Sequence, residues 1–354
     1  MNWNCEKLWK CMGDALATFA RPRMLSCAAR ALGIPIIAYF HIPTIPQCAA
    51  QAAPVPRFAF QTYAVRDLCE KDFAGTLKAA KAMGYEGVET GRFFGLDAKG
   101  LKAACDEAGL ELVALQLYPH NLTEPQLAET IKFCKDCGCK RINTAWFKGS
   151  AENPNDWQLL VNVLNHAAEV CAKDGIYVAY HNHDHEFRIK FDGKCVWDWL
   201  YAKDGSDGLR QVTAMPRFSD LVLQELDCGN CVLGGGDPVQ CIANHPHRNP
   251  TVHIMPAIES VKCKMESEKC RAGNCMCAPS PGKCGVGSAA DRADWPRILP
   301  ALAADGVEWL VVKPTAHPGS LDDLRASMEF LKLCKANDKP FMPTGMKTGK
   351  EQKP

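Results

Sequence analysis

Ile176-Tyr177-Val178-Ala179-Tyr180-His181-Asn182-His183-Asp184-His185-Glu186-Phe187 decides how this chain is read. The apolar run from Ile176 to Ala179 has the character of a strand buried in a parallel sheet. Side chains able to bind a metal follow at once, where that strand runs out. Ligands of α/β folds bind at this edge of the sheet. Two later stretches repeat the pattern: Leu223-Gln224-Glu225-Leu226-Asp227 and Thr251-Val252-His253. Carboxylates and an imidazole thus stand at three successive strand ends.

Working outward, strands and helices alternate. Expected strands are Phe58–Tyr63, Gly87–Glu89, Glu111–Leu117, Arg141–Ala145, Ile176–His181, Leu221–Leu226, Thr251–Ile254 and Glu308–Val312. Amphipathic helices are expected between them. Asp97 and Thr123 stand where helix N-caps belong, and Gly84, Gly109, Gly138, Gly175 and Gly306 where helices end. Eight such units between Arg57 and Leu333 predict an α/β fold of the (β/α)8 TIM-barrel type. A doubly wound sheet is the second choice, and no Gly-x-Gly-x-x-Gly follows the first strand to support it. Between strands seven and eight lies a long cysteine-rich loop, Lys262–Asp291, with Cys263, Cys270, Cys275, Cys277 and Cys284. It holds no Cys-x-x-Cys unit, so disulfide stapling is favoured there over a zinc knuckle.

The chain divides into a leader (1–52), the barrel (53–336) and a lysine- and proline-rich tail (337–354) that reads as disordered. In the leader, arginines precede the apolar stretch Ala31–Phe40, and Ala50-Gln51-Ala52 resembles a cleavage site, so a signal peptide and a secreted or periplasmic location are expected. The 20 cysteines of the 354 residues suit an oxidising compartment, although many would also serve as small buried hydrophobes. A formal charge of +1 without a basic block gives nucleic-acid binding no electrostatic support. No apolar stretch is long enough to span a membrane.

Four motifs in order, Gln61-Thr62-Tyr63-Ala64-Val65-Arg66-Asp67, Gly84-Tyr85-Glu86-Gly87-Val88-Glu89, Tyr180–Phe187 and Glu225-Leu226-Asp227-Cys228-Gly229, resemble the sugar phosphate isomerase/epimerase family of xylose-isomerase-like TIM barrels. The resemblance implies one divalent metal, manganese first, with magnesium, iron, cobalt or zinc as alternatives. It is held by Glu, Asp, His and Glu from strands five to eight. It places the first three ligands on Glu186, Asp227 and His253. The fourth position carries Lys313, and an ammonium does not ligate a cation. Glu186 and Lys313 then stand where the pair of groups flanking the reacting carbon belongs. A two-base epimerisation is weakened by Lys313; a one-base isomerisation or elimination is less affected.

For substrate contact the candidates are Gln61, Tyr63, Glu89, Trp146 and His183. Each has a structural alternative: Tyr63 in the core, Glu89 in a salt bridge with Arg92 or Arg66, Trp146 packed between helices. His317 is a candidate substitute ligand. The chemistry expected is proton abstraction beside the carbonyl of a keto sugar. The alternative is a non-catalytic sugar-binding or scaffold protein with a degenerate metal site. A phosphodiesterase is a third, disfavoured by the sparse ligand set. The expected partner is a small carbohydrate, and homo-oligomerisation is left open.

Overall fold

The computed structural model describes residues 55–145, 150–202, 216–258, 284–314 and 320–336. The expected leader, the tail, Trp146, His317 and the loop cysteines other than Cys284 lie outside these residues.

Eight parallel strands form the closed barrel: β1 (Arg57–Gln61), β2 (Gly87–Thr90), β3 (Glu111–Leu117), β4 (Arg141–Thr144), β5 (Tyr177–His181), β6 (Val222–Asp227), β7 (Thr251–Ile254) and β8 (Trp309–Val312). Each pairs with its sequence neighbours, and β8 closes on β1 with Phe58 beside Leu310. Closure excludes the doubly wound sheet. Helices stand where capping chemistry puts them. The Asp72 carboxylate accepts from the Gly75 amide at 2.8 Å to start α2 (Phe73–Met83), after the short α1 (Arg66–Lys71). Gly84, at φ +108°, ends α2 in a left-handed turn that other residues enter only with strain. Thr123 does not cap the next helix but one. Its hydroxyl donates to the His120 carbonyl, and the helix begins at Gln126, past Pro125.

The period-two alternation of the strands sorts side chains into two cores. Phe60, Val88, Ile142, Val178, Leu226, Val252 and Val312 point out into the layer shared with the helices. Ala59, Val113, Ala114, Trp309 and Val311 form a separate cluster in the lumen. Trp309 fills that space only because Gly87 leaves it. A Cβ on Gly87 would lie 2.4 Å from Val113 Cγ2 and 2.7 Å from Trp309 Cζ3. Gly87→Ala is therefore expected to destabilise the barrel by about 1–3 kcal/mol through overpacking. A thermal melt indistinguishable from wild type would show that the lumen can relax around the methyl.

Among the described residues all twelve cysteines are free, ten of them buried. They behave as small hydrophobes, and burial pushes the Cys105 thiol up to about 12. Cys284 is free and buried, so the staple expected from the loop does not involve it within the described residues. No helix of the described residues is long and apolar enough to cross a membrane.

Candidate metal centre and active site

Above the lumen hydrophobes the inward positions turn polar. The alternation that points Ala59, Gly87, Ala179 and Val311 inward carries Gln61, Glu89, His181 and Lys313 inward two residues later. In β6 and β7 it brings Glu225, Asp227, Thr251 and His253 to the same place. Register aligns them across strands: Gln61 with Glu89, His181 with Glu225, and Asp227 with His253. Glu89, His181, Glu225, Asp227, Thr251 and His253 are fully buried.

Glu89 accepts from Gln61 Nε2 at 3.0 Å and from Asn143 Nδ2 at 2.9 Å, and its Oε1 lies 2.9 Å from His253 Nε2. Glu225 Oε1 accepts from the Thr251 hydroxyl at 3.0 Å and from Asn143 Nδ2. Asn182 holds the backbone of Asp227 from both sides: its Oδ1 accepts from the Asp227 amide at 2.8 Å, and its Nδ2 donates to the Asp227 carbonyl at 3.1 Å. After these bonds, both ring nitrogens of His181, Nδ1 of His253 and Oε2 of Glu225 have no hydrogen-bond partner among the described residues. Buried polar atoms left so are costly unless something fills the gap. One donor atom each from His181, Glu225 and His253 falls within 4.8 Å of the others, and His181 Nδ1 is 3.3 Å from Glu225 Oε2. That spacing matches neighbouring donors around an ion bound at about 2.0–2.2 Å. The residues present fit a divalent metal. Asp227 Oδ2 borders the same space, 3.6 Å from His181 Nε2 and 3.7 Å from His253 Nδ1.

The charges are tightly linked. Burial alone would lower the pKa of His253, but the charges of Glu225 and Glu89 outweigh it and push it up to about 10. Burial works to raise Glu89, yet the His253 charge and hydrogen bonds hold it down to about 2. Burial and the neighbouring Glu89 push Glu225 well above the usual carboxylate range. Asp227 stays low against burial because of Lys313, whose Nζ is 3.5 Å from Asp227 Oδ2. Burial and the charges of its neighbours keep His181 neutral.

A cavity of about 230 Å³ opens above this cluster. Tyr63, Arg66, Arg92, Tyr118, His181, His183 and Lys313 are among its walls. Burial, with Lys313 nearby, lowers the His183 imidazole to about 4.

The expected site residues thus separate. Asp227 and His253 meet in the buried cluster. Tyr63, His183 and Lys313 line the cavity. Glu186 joins neither. It lies on the short helix α6 (His185–Arg188), where its carboxylate accepts from Tyr180 OH at 2.6 Å and the His183 amide at 2.9 Å. Burial pushes it up to about 7 despite those bonds. It groups instead with His183 and His185. Gln61 and Glu89 lie beneath the cavity rather than on its wall. Glu89 pairs with His253, while Arg92 pairs with Glu70 and Arg66 with Asp67. Glu225 and His181 stand in the strand ends quoted from the sequence without an assigned role, and Asn143 and Thr251 are not among the sequence candidates. The signal for Glu225 was its two-residue spacing from Asp227 on one strand.

A model of the xylose isomerase-like TIM barrel family matches residues 77–334, and the chain belongs to that family. An inosose dehydratase of Clostridium botulinum (strain Alaska E43 / Type E3) is 24% identical over 281 residues, covering 73% of this chain and 88% of that protein. Solved structures with the same fold include a sugar phosphate isomerase/epimerase from Parabacteroides distasonis ATCC 8503, with a TM-score of 0.53 and 21% identity, covering 80% of this chain and 96% of that one. A probable 3-DHS dehydratase from Bacillus anthracis gives a TM-score of 0.53 at 14% identity, covering 78% and 98%.

Proposed function

We propose that this protein is a metal-dependent keto-sugar enzyme that abstracts a proton beside a carbonyl, with loss of water as the outcome. One observation carries this reading. Orphaned donor atoms of His181, Glu225 and His253 gather directly beneath a cavity whose wall offers His183 and Lys313. These three residues, with Asp227 beside them, would hold the ion, and imidazole with carboxylate suits manganese, iron, cobalt or zinc. When bound, such an ion polarises a carbonyl and steadies the negative charge that develops on it. The cavity supplies two groups of opposite character. The His183 imidazole accepts the proton from carbon, and the Lys313 ammonium gives one to the departing hydroxyl. Among the described residues the wall offers an imidazole and an ammonium rather than a pair of carboxylates, an acid and a base of the kind that elimination uses. The names of the inosose dehydratase and 3-DHS dehydratase relatives support the same choice.

The test combines metal content with exchange into D₂O. The purified chain should hold about one divalent ion, incorporate deuterium next to the carbonyl of at least one keto sugar from a panel of neutral and anionic compounds, and release water from it. Glu186→Gln should keep the ion, because the Glu186 carboxylate is already engaged by Tyr180 and His183. Loss of the ion in that variant would move the centre to the His183–His185–Glu186 group. A chain that holds the ion yet exchanges no proton of any keto sugar would be a sugar-binding protein instead, a reading to which the Lys313–Asp227 contact lends weight.

A further inference from the structure

The cavity wall is cationic in a way that the proposed chemistry does not require. Among the described residues lining it are Arg66, Arg92 and Lys313, and no carboxylate. Glu89, Glu225 and Asp227 are fully buried beneath. Lys313 belongs to the reacting end, beyond β8. Arg66 and Arg92 follow β1 and β2, and β1 is the neighbour of β8 in the closed barrel.

Arg66 is the informative one. Its side chain is only 11% exposed, and its ion pair is a long one, 3.9 Å to a half-exposed Asp67. One guanidinium N–H donates to the Tyr63 carbonyl at 2.9 Å, and the group lies over the Tyr63 ring, 4.3 Å from its centre. The guanidinium is thereby held flat and mostly out of water, with weak neutralisation. Arg92 pairs with Glu70, but both are about half exposed, and such a surface pair is readily exchanged for a better partner. A planar guanidinium matches the oxygens of carboxylate and phosphate, and an anion between two of them is a strong charge-assisted contact. Tyr63 and Tyr118 are both more than half exposed, with one ring face covered by Arg66 and by His120 respectively and the other open to a sugar.

We propose that the substrate is a keto sugar bearing a carboxylate or phosphate, and that Arg66 and Arg92, after β1 and β2, hold that anion while the carbonyl meets the ends of β5–β7. The inference rests on the keto-sugar reading above. It predicts discrimination by charge at a place other than the reacting carbon.

The test is calorimetric binding to the full metal-loaded chain at fixed ionic strength, with D-fructose, D-fructose 6-phosphate and 2-keto-D-gluconate as probes. At least one anionic probe should bind roughly tenfold or more tightly than fructose, as hydrogen bonds to a charged group warrant. The larger advantage tells phosphate from carboxylate. Arg66→Gln with Arg92→Gln should erase that advantage while metal content is unchanged. The exposed Arg92→Gln alone should reduce it, which keeps the test valid if the double variant folds poorly. Affinities within twofold for all three probes, failure of both anions to bind, or an advantage that survives the substitutions would each overturn the proposal. Binding heats need no turnover. A chain that exchanges no proton yet prefers the anion keeps this subsite and loses the proposed reaction; one that turns over neutral keto sugars without preference does the reverse.

Discussion

Glu225→Gln is expected to strip the divalent ion from the protein while leaving the barrel folded. The amide keeps the shape of the carboxylate and the oxygen that Asn143 and Thr251 address. It replaces Oε2, which faces His181 without a hydrogen-bond partner, by an NH2 that cannot ligate. Outer partners of a metal ligand are worth roughly 10- to 100-fold in metal affinity, so loss of a ligand should exceed that. His253→Ala should remove the ion and the fold's margin together. His253 sits 2.9 Å from Glu89 and 3.4 Å from Glu225, so its loss leaves two buried carboxylates without their imidazole partner. Taking one partner from a buried ion pair costs about 3–5 kcal/mol. Elemental analysis and thermal melts on the two variants separate the effects. Full ion occupancy in Glu225→Gln would sink the centre described here.

Lys313 carries the second large effect, and its two substitutions should diverge. Lys313→Met removes the proposed proton donor to the leaving hydroxyl, and turnover should fall by about 10²- to 10⁴-fold, the usual worth of a positioned acid. Ion content should hold or rise, because an ammonium that repels a cation and occupies the Asp227 carboxylate at 3.5 Å is gone. Lys313→Glu should bind the ion more tightly still, by roughly tenfold or more, since it exchanges repulsion for attraction in a poorly solvated site. It should stay inactive in water loss, because a carboxylate facing the ion is no longer an acid. Dehydration at wild-type rate in Lys313→Met would remove lysine from the chemistry. An ion retained only in Lys313→Glu would identify a site dismantled by that one residue, and the sugar-binding reading would lead.

Gly84 shows how much of the fold is local. A glycine after an amphipathic run ends a helix because the left-handed turn is open to it, and an apolar run of five residues bounded by such turns is a strand wherever it is read. The eight-fold repetition of that unit is the barrel, and the order of polar residues at strand ends already told which edge holds the site. Asp227 and His253 were legible for the same reason: each ends an apolar run, and each strand puts its end at one mouth.

Glu186 marks where local reading stops. It lies past the end of β5, and there alternation no longer says which way a side chain points. The chain turns at Asn182, and α6 carries Glu186 back against Tyr180 and the His183 amide, away from the lumen. The lumen place at β5 goes to His181, two residues beyond Ala179 on the same face. Glu89 was similarly visible as a strand-end acid, but its partner His253 is 164 residues away, joined only because β2 and β7 face each other across the barrel. The sequence by itself determined the barrel, its helix ends and the mouth at which chemistry gathers, because those depend on contacts between near neighbours and on periodicity. Only the tertiary structure decided which carboxylate meets which imidazole, since closing the barrel sets eight distant strand ends around one small volume.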